Sequence, residues 1–166
     1  YYRYDAFGNL TRLIDPLNHD VRILAYNLRG AQTSEVNLNR GTTTLVPNAL
    51  GELVSSTDAK GQTRTQVYDN LGRMTSRSEP EGTSSWTWGS SAASHNIGRL
   101  ATVAGPGLSE SYGYDSLGRP ATRTITSDAT YQYDYAYNSL GQLDTLTYPT
   151  STDGYRLTLA YEYQYG

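Results

Sequence analysis

The stretch Tyr68-Asp69-Asn70-Leu71-Gly72-Arg73-Met74 decides the fold, because versions of it recur along the whole chain. Clear copies begin at Tyr4, Tyr114 and Tyr137, and weaker copies lie between them. A repeat has to be recognised before any other signal, because its period sets the architecture of the protein. Each copy ends in a glycine, and these are Gly8, Gly30, Gly51, Gly72, Gly98, Gly118 and Gly141. Their successive separations are 22, 21, 21, 26, 20 and 23 residues.

Each copy has the chemistry of a tight turn. Asp69 stands three residues before Gly72, which is the arrangement of a type I turn with an acid or amide at its first position. The Asp oxygen can accept a hydrogen bond from a backbone N–H two residues on, and the Gly can adopt the positive φ that ends a hairpin loop. The Tyr before the Asp is expected to lead from a strand into the turn. The residues predicted to build these turns are Tyr4, Asp5, Gly8, Tyr26, Asn27, Gly30, Asn48, Gly51, Tyr68, Asp69, Gly72, Gly98, Tyr114, Asp115, Gly118, Tyr137, Asn138 and Gly141.

The residue before the motif glycine is apolar in most copies, with Arg29 as the exception. We predict that this side chain folds back over the core and closes the end of the hairpin. The residues concerned are Phe7, Leu50, Leu71, Ile97, Leu117 and Leu140.

The segments between the turns alternate as β-strands do. In the first repeat the strand Asn9–Ile14 leads to a second turn at Asp15–Asn18. The return strand Val21–Tyr26 has side chains that alternate with a period of two. A unit of about 21 residues holds two such strands and two turns, and no window shows a helical period with caps. We therefore predict an all-β chain, a spiral or solenoid strip of antiparallel β-hairpins with about seven repeats.

Two segments depart from this plan. Residues 89–97, rich in Ser and Ala, explain the 26-residue spacing and are predicted to form a surface loop. The last unit is predicted to turn at Pro149–Gly154 and to return through Tyr155–Tyr165, and Tyr161–Gly166 resembles a further unit cut short. Because the pattern runs from one end to the other, we expect residues 1–166 to be one repeat strip that belongs to a larger polypeptide.

Composition narrows the range of functions. The net charge is −3 and the pI is about 5.3, so the chain lacks the basic footprint of a nucleic-acid-binding protein. No apolar run approaches the roughly 18 residues that a membrane-spanning helix requires. There is no Cys, which excludes disulfides and thiolate chemistry. Tyr is the outlier, with 16 Tyr against 1 Phe and 2 Trp.

The motif Tyr-Asp-x-x-Gly-Arg at this period resembles the YD repeat, also called the Rhs repeat, of bacterial polymorphic toxins, Tc toxin B and C components and teneurins. The resemblance is strongest at the units that begin at Tyr4, Tyr68, Tyr114 and Tyr137. It implies a strip of hairpins that spirals into a hollow shell around a toxin or effector domain of the same polypeptide or complex. It also implies a bacterial protein that is secreted or associated with the cell surface.

The sequence offers little for catalysis. His19 and His95 have no partner at metal-ligand spacing, and both are predicted to be solvated, His19 in a turn and His95 in a loop. The carboxylates Asp5, Asp69 and Asp115 are interpreted as turn caps, because one turn cannot supply the six to eight oxygens that calcium takes. We predict no catalytic residue, no metal site, no cofactor and no enzymatic activity.

The aromatic rows leave two interpretations open. Tyr131, Tyr133, Tyr135 and Tyr137 share one face of a strand, and Trp86 and Trp88 share one face of another. They could be cross-strand ladders that hold the strip together, since aromatic pairs stabilise sheets. Alternatively they could form an exposed platform for glycans in a carbohydrate-binding or adhesion module. We favour the structural interpretation, because Tyr recurs in every unit rather than at one site.

Overall fold

The computed structural model describes residues 1–164, and these form strands, turns and loops without a helix. The all-β prediction of antiparallel hairpin repeats is confirmed. The predicted unit at Tyr161–Gly166 includes Tyr165 and Gly166, which lie outside the described residues. The chain divides into two compact units, Tyr1–Thr83 and the residues that follow.

The first unit contains eight strands, and each pairs in antiparallel fashion with the next along the chain. They are β1 (Tyr2–Tyr4), β2 (Leu10–Ile14), β3 (Asp20–Tyr26), β4 (Gln32–Asn37), β5 (Gly41–Pro47), β6 (Leu53–Thr57), β7 (Thr63–Tyr68) and β8 (Met74–Glu79). Because consecutive strands are antiparallel neighbours, successive connections lie at opposite edges of the sheet.

The second unit repeats this arrangement, again with antiparallel pairs of consecutive strands. Its strands are β9 (Gly82–Trp88, which begins at the boundary), β10 (Leu100–Gly105), β11 (Leu108–Tyr114), β12 (Pro120–Thr126), β13 (Thr130–Tyr137), β14 (Leu143–Thr150) and β15 (Arg156–Ala160). The strand β14 continues through Pro149, so the last turn is Ser151–Gly154 and is shorter than predicted. The return strand β15 ends at Ala160, although the alternating pattern predicted a strand to Tyr165.

A β-bulge accompanies the motif in both units. Tyr114 pairs with Pro120 while Gly113 pairs with Thr122, so Ala121 is an extra residue on the strand after the turn. The same shift occurs at Tyr4, Tyr26, Tyr68 and Tyr137. A bulge beside a hairpin loop increases the local twist and fixes the register, and here it recurs with the period of the sequence.

The two faces of each unit differ in side-chain size. In the second unit one row across five strands, on what we call the large-residue face, is Trp86, Val103, Glu110, Ile125 and Tyr131. The neighbouring row on the opposite face, the threonine face, is Thr87, Thr102, Ser111, Thr124 and Gln132. The first unit also has a row of small hydroxyl side chains on one face, Ser34, Thr44, Thr57 and Thr63, and we give that face the same name.

Very little of the structure is a buried core. Among the described residues only Ile14 and Leu24 are buried hydrophobic side chains, and no polar or charged side chain is buried. Most residues of the large-residue face are half-buried by their neighbours in the same sheet. The backbone ladders and the contacts between adjacent repeats must therefore supply most of the stability, as in repeat proteins generally.

Candidate functional site: the motif edge

The motif turns lie along one edge of each unit, which we call the motif edge. All of them share one hydrogen-bond pattern except the predicted turn at Gly98, whose N–H donates to the Gly89 carbonyl at 2.9 Å. At Asp69 the backbone carbonyl accepts from Gly72 N at 3.0 Å, and the backbone N–H donates to the Arg73 carbonyl at 2.9 Å. The Asp69 Oδ1 accepts from Leu71 N at 2.9 Å and from Arg73 N at 3.1 Å. The same four bonds occur at Asp5, Asn27, Asn48, Asp115 and Asn138.

Except at Asn27, where the residue four positions later is Ala31, the first residue of the turn also pairs with the side chain four positions later. Asp69 Oδ2 accepts from Arg73 Nε at 2.8 Å, and Asp115 Oδ2 accepts from Arg119 Nε at 2.7 Å. Where the turn begins with Asn, the amide donates instead, as Asn48 Nδ2 does to Glu52 Oε2 at 2.6 Å. An acid therefore faces a donor and an amide faces an acceptor, so Asp and Asn are interchangeable only together with their partner.

These bonds lower the pKa of the turn carboxylates. The hydrogen bond from Arg73 holds the pKa of Asp69 below its ordinary value of 3.8, with further help from backbone N–H donors. At Asp115 partial burial raises the pKa, but the backbone and side-chain hydrogen bonds of Arg119 outweigh it and the net shift is also downward. Both carboxylates are therefore ionised at neutral pH, which strengthens the hydrogen bonds that they accept.

The motif tyrosines after Tyr4 fasten their turns to the preceding repeat. Tyr114 Oη donates to the carbonyl of Leu100 at 2.6 Å, and Tyr137 Oη donates to that of Pro120 at 2.9 Å. In each case the acceptor is the second residue after the glycine of the previous motif. Three more tyrosines make the same bond, namely Tyr26 to Leu10, Tyr68 to Leu53 and Tyr163 to Leu143.

A side chain beside the glycine of one turn reaches the next turn. Arg119 stacks over the ring of Tyr137, with its Cζ 4.2 Å from the ring centroid. Arg99 lies over Tyr114 at 5.5 Å and also occupies the space beside Gly118, where an added Cβ would be 2.6 Å from its Nη2. Gly118 has a φ of +72°, so this glycine provides both the turn conformation and the space for the arginine.

The apolar residues beside the glycines do not close the hairpin ends, so that prediction is wrong. The side chains before the glycines point away from the sheet, and they are 64 to 86% exposed. They are Phe7, Leu50, Leu71, Ile97, Leu117 and Leu140. Leu28, which precedes Arg29 in its turn, is fully exposed.

The comparisons with known proteins support the resemblance in the sequence. Residues 48–84 match the RHS repeat family. This segment contains the motif at Tyr68, so the resemblance to the YD or Rhs repeat is confirmed there. The match supports a structural role of the RHS type, and the hydrogen-bond pattern of residues 48–84 recurs in the repeats on both sides. No curated protein matches the chain at a significant level.

Solved structures of Tc toxin components are also similar to the chain. A crystal structure of TcdB2-TccC3-TEV aligns with 98% of the chain at 16% identity and a TM-score of 0.48. A TcdB2-TccC3 crystal structure aligns with 98% at 15% identity and 0.48, and a Tc holotoxin pore from Photorhabdus luminescens with 98% at 16% identity and 0.41. The chain spans 13 to 14% of the length of these proteins.

The aromatic rows are packed into the sheet of the second unit. Tyr131, Tyr133 and Tyr135 are half-buried on the large-residue face, opposite Ile125, Arg123 and Leu146 respectively. Tyr133 also makes an edge contact with Tyr148 at a centroid distance of 5.7 Å. Trp86 and Trp88 are half-buried as well, and both contact neighbouring groups. This packing does not support the exposed glycan platform of the alternative interpretation.

Both histidines lie in exposed segments, as predicted from the sequence. His19 Nδ1 lies 3.1 Å from Asp15 Oδ2 in an exposed turn, so it is solvated and also paired. His95 lies in the 89–97 loop with a φ of +52°.

Within residues 1–164 no three His, Cys, Asp or Glu side chains come together as metal ligands. The same residues contain no helix long and apolar enough to span a membrane.

The sequence contained a signal for the tyrosine bonds that the motif alone did not reveal. A strand that needed only apolar aromatic rings would accept Phe, but the chain has 16 Tyr and 1 Phe. That bias indicates hydroxyl groups with fixed acceptors. The acceptors are backbone carbonyls of the preceding repeat, and no side-chain pattern marks those.

Proposed function

We propose that this chain is a segment of the wall of an RHS-type shell, and that the complete shell encloses a toxin or effector domain of the same polypeptide or complex. Residues 1–166 would be one repeat strip within a larger, bacterial polypeptide that is secreted or associated with the cell surface. The segment would perform no catalysis. Its partners would be the neighbouring repeats and the enclosed domain.

One observation carries the proposal: the residues that recur from repeat to repeat are used to join one repeat to the next. The motif Tyr bonds to the previous repeat, and the turn Asp or Asn organises its own loop. Arg99 and Arg119 each extend to the following turn. A binding or catalytic protein would keep its special residues at one place, whereas a wall needs the same connection at every step.

The mechanism would be exclusion. A wall built from a continuous backbone ladder separates the enclosed domain from proteases and from the producing cell without recognising a specific sequence.

Electron microscopy of the native full-length product that contains this segment would test the proposal. Hollow particles with density inside them are expected, together with a C-terminal or associated domain that resists added protease until the particle is opened. A matched preparation that lacks the enclosed domain should give empty particles of the same size. Solid rods or open sheets in both preparations would overturn the encapsulation proposal.

A further inference from the structure

The turn that ends at Gly98 is built differently from the other motif turns. Gly89 N donates to the Arg99 carbonyl at 2.7 Å, and the Gly89 carbonyl accepts from Gly98 N at 2.9 Å. In the regular motif turns the Asp or Asn that begins the turn forms the same two backbone bonds. Gly89 therefore stands at the position of the turn Asp or Asn, although the loop that follows it is longer.

Asn96 replaces the side chain that Gly89 lacks. A Cβ added at Gly89 would overlap with Cγ and Oδ1 of Asn96, so the Asn96 amide fills the space of the missing Asp side chain. Asn96 Oδ1 accepts from Ser91 N at 3.0 Å. This bond corresponds to the one that Asp69 Oδ1 accepts from Leu71 N, two residues further along the chain. The amide thus closes the loop as the turn Asp does, but it contributes no negative charge.

Arg99 therefore has no carboxylate in its own turn. Arg73 and Arg119, at the same position after their glycines, each donate through Nε and Nη2 to the Asp that begins the turn. Among residues 1–164 no carboxylate forms a salt bridge with Arg99. Its guanidinium is nevertheless held in place, over the Tyr114 ring at 5.5 Å and against Gly118. The result is a positioned cation without the partner that the regular turns supply.

An open cavity of about 340 Å³ is lined by Arg99 together with His95 and Ser116. Imidazole and hydroxyl groups can each donate a hydrogen bond to an oxygen atom. Ile97 and Leu117, the apolar side chains at the tips of the two turns, line the same cavity. This combination suits an acid with an apolar body, because its oxygen atoms can meet the donors while its carbon atoms lie against the tips.

We propose that Arg99, with His95 and Ser116, binds the carboxylate of an external organic acid that has an apolar body. The regular turns indicate this class of ligand, because an Arg at the same position binds the carboxylate of Asp69 in one turn and of Asp115 in another. The planar guanidinium presents paired donors that match the two oxygens of a carboxylate. A free organic acid and the C-terminus of a peptide both supply this group.

An exposed arginine without a partner is ordinary in itself, since surface ion pairs contribute little to stability. Arg99 differs because its contacts with Tyr114 and Gly118 already restrict the side chain, so less conformational entropy is lost when a ligand binds. The carboxylate of the adjacent turn, Asp115, is paired with Arg119 at 2.7 Å and does not compete. The chain's own carboxylates therefore leave the site available to a ligand.

The first test is a titration of the isotope-labelled chain with benzoate, in a low-salt buffer without phosphate, followed by two-dimensional NMR. We expect saturable shifts of the amide signals in the loop 89–97 and at Arg99, with a Kd of about 1–10 mM for a ligand of this size. Benzamide, which has the same ring without the charge, should cause no such shifts. Absence of saturable shifts with benzoate, or equal shifts with benzamide, would show that the site does not bind carboxylates.

Variants then assign the binding to Arg99. Arg99→Gln should weaken benzoate binding by about tenfold or more, because a charge-assisted pair of hydrogen bonds is lost. Arg99→Lys keeps the charge without the paired donors and should have an affinity between the two. Arg3→Gln is the matched control, because it removes the same charge from an exposed arginine in β1, and it should bind as the wild type does. The signals of distant strands report in the same spectra that each variant is folded, and wild-type affinity in Arg99→Gln would overturn the proposal.

A tripeptide distinguishes the two sources of the carboxylate. Ala-Ala-Phe with a free C-terminus is compared with benzoate and with its own amidated form. Tighter binding of the free-acid peptide than of benzoate would identify a chain terminus as the ligand, and the reverse order would identify a small organic acid. The amidated peptide should not bind in either case, and binding equal to that of the free acid would contradict the role of Arg99. This site does not rest on the shell proposal, whose own test concerns the complete particle.

Discussion

Replacement of Gly118 by Ala should destabilise the second unit more than the same change at a turn glycine with open space beside it. Gly118 and Gly154 have similar φ values of +72° and +79°, and each N–H donates to the carbonyl three residues earlier. A Cβ at Gly154 would meet nothing within 4 Å, whereas at Gly118 it would lie 2.6 Å from Nη2 of Arg99. The pair therefore separates backbone strain from a specific steric conflict.

The magnitudes follow from these contacts. A left-handed conformation costs an L-residue about 1–2 kcal/mol, and both variants incur that cost. At Gly118 the Arg99 guanidinium must also leave the Tyr114 ring, and an exposed cation–π contact contributes about 0.5–1 kcal/mol. We expect the free energy of unfolding to fall by about 1–2 kcal/mol for Gly154→Ala and by about 1.5–3 kcal/mol for Gly118→Ala.

Urea denaturation of the two variants, of Arg99→Ala and of the double variant Arg99→Ala/Gly118→Ala would measure these quantities. If Arg99 is the obstacle, its removal should make Gly118→Ala no more costly than Gly154→Ala, with a coupling energy of about 0.5–1 kcal/mol. Gly141→Ala should resemble Gly154→Ala, because Arg119 would be 3.5 Å away, an ordinary contact. Additive effects of the Arg99 and Gly118 changes would refute the reasoning.

Two further predictions concern the motif side chains. Tyr114→Phe retains the ring under Arg99 but loses the hydroxyl bond to Leu100, so unfolding free energy should fall by about 0.5–1.5 kcal/mol, while the exposed control Tyr155→Phe should change little in the same urea titration. Equal losses would remove the special role of the motif tyrosine. Because the pKa values of Asp69 and Asp115 are lowered on folding, their contribution is present above the ordinary value of 3.8 and is lost as pH falls through the folded pKa. The melting temperature should therefore fall below about pH 4, and Asp69→Asn/Asp115→Asn should be less stable at pH 7 and show a smaller fall in thermal scans between pH 5 and pH 3. Parallel curves for the variant and the wild type would contradict this assignment.

The turn chemistry and the strands could be predicted because they depend on residues close in sequence. The spacing of Asp69 and Gly72 determines the hydrogen bonds of that turn, and the period of two in Val21–Tyr26 indicated β3 with an error of one residue at its start. The end of β15 could not be predicted in this way, because alternation continues past Ala160 although the strand does not. Local pattern specifies that a strand can form, while pairing specifies where it stops.

The direction of the tip side chains and the partners of the tyrosines depend on nonlocal geometry. An apolar residue such as Leu117 suggests burial by its type, but the turn points it outward and the thin sheet offers no interior to receive it. The threonine face was equally hidden, because it is assembled from alternate residues of many strands and each bulge shifts the alternation by one position. Only the register of the strands reveals which residues share a face.

Each hydroxyl bond that a motif tyrosine makes joins a repeat only to the one before it. Tyr114 bonds to the Leu100 carbonyl and Tyr137 to the Pro120 carbonyl, and the geometry of neither bond depends on the total number of repeats. A gene that duplicated or deleted one such unit would leave every remaining junction intact. The number of repeats is therefore free to change during evolution without a change in the contacts at any junction. The number of repeats determines the length of the strip, and the stability of each junction does not depend on that number.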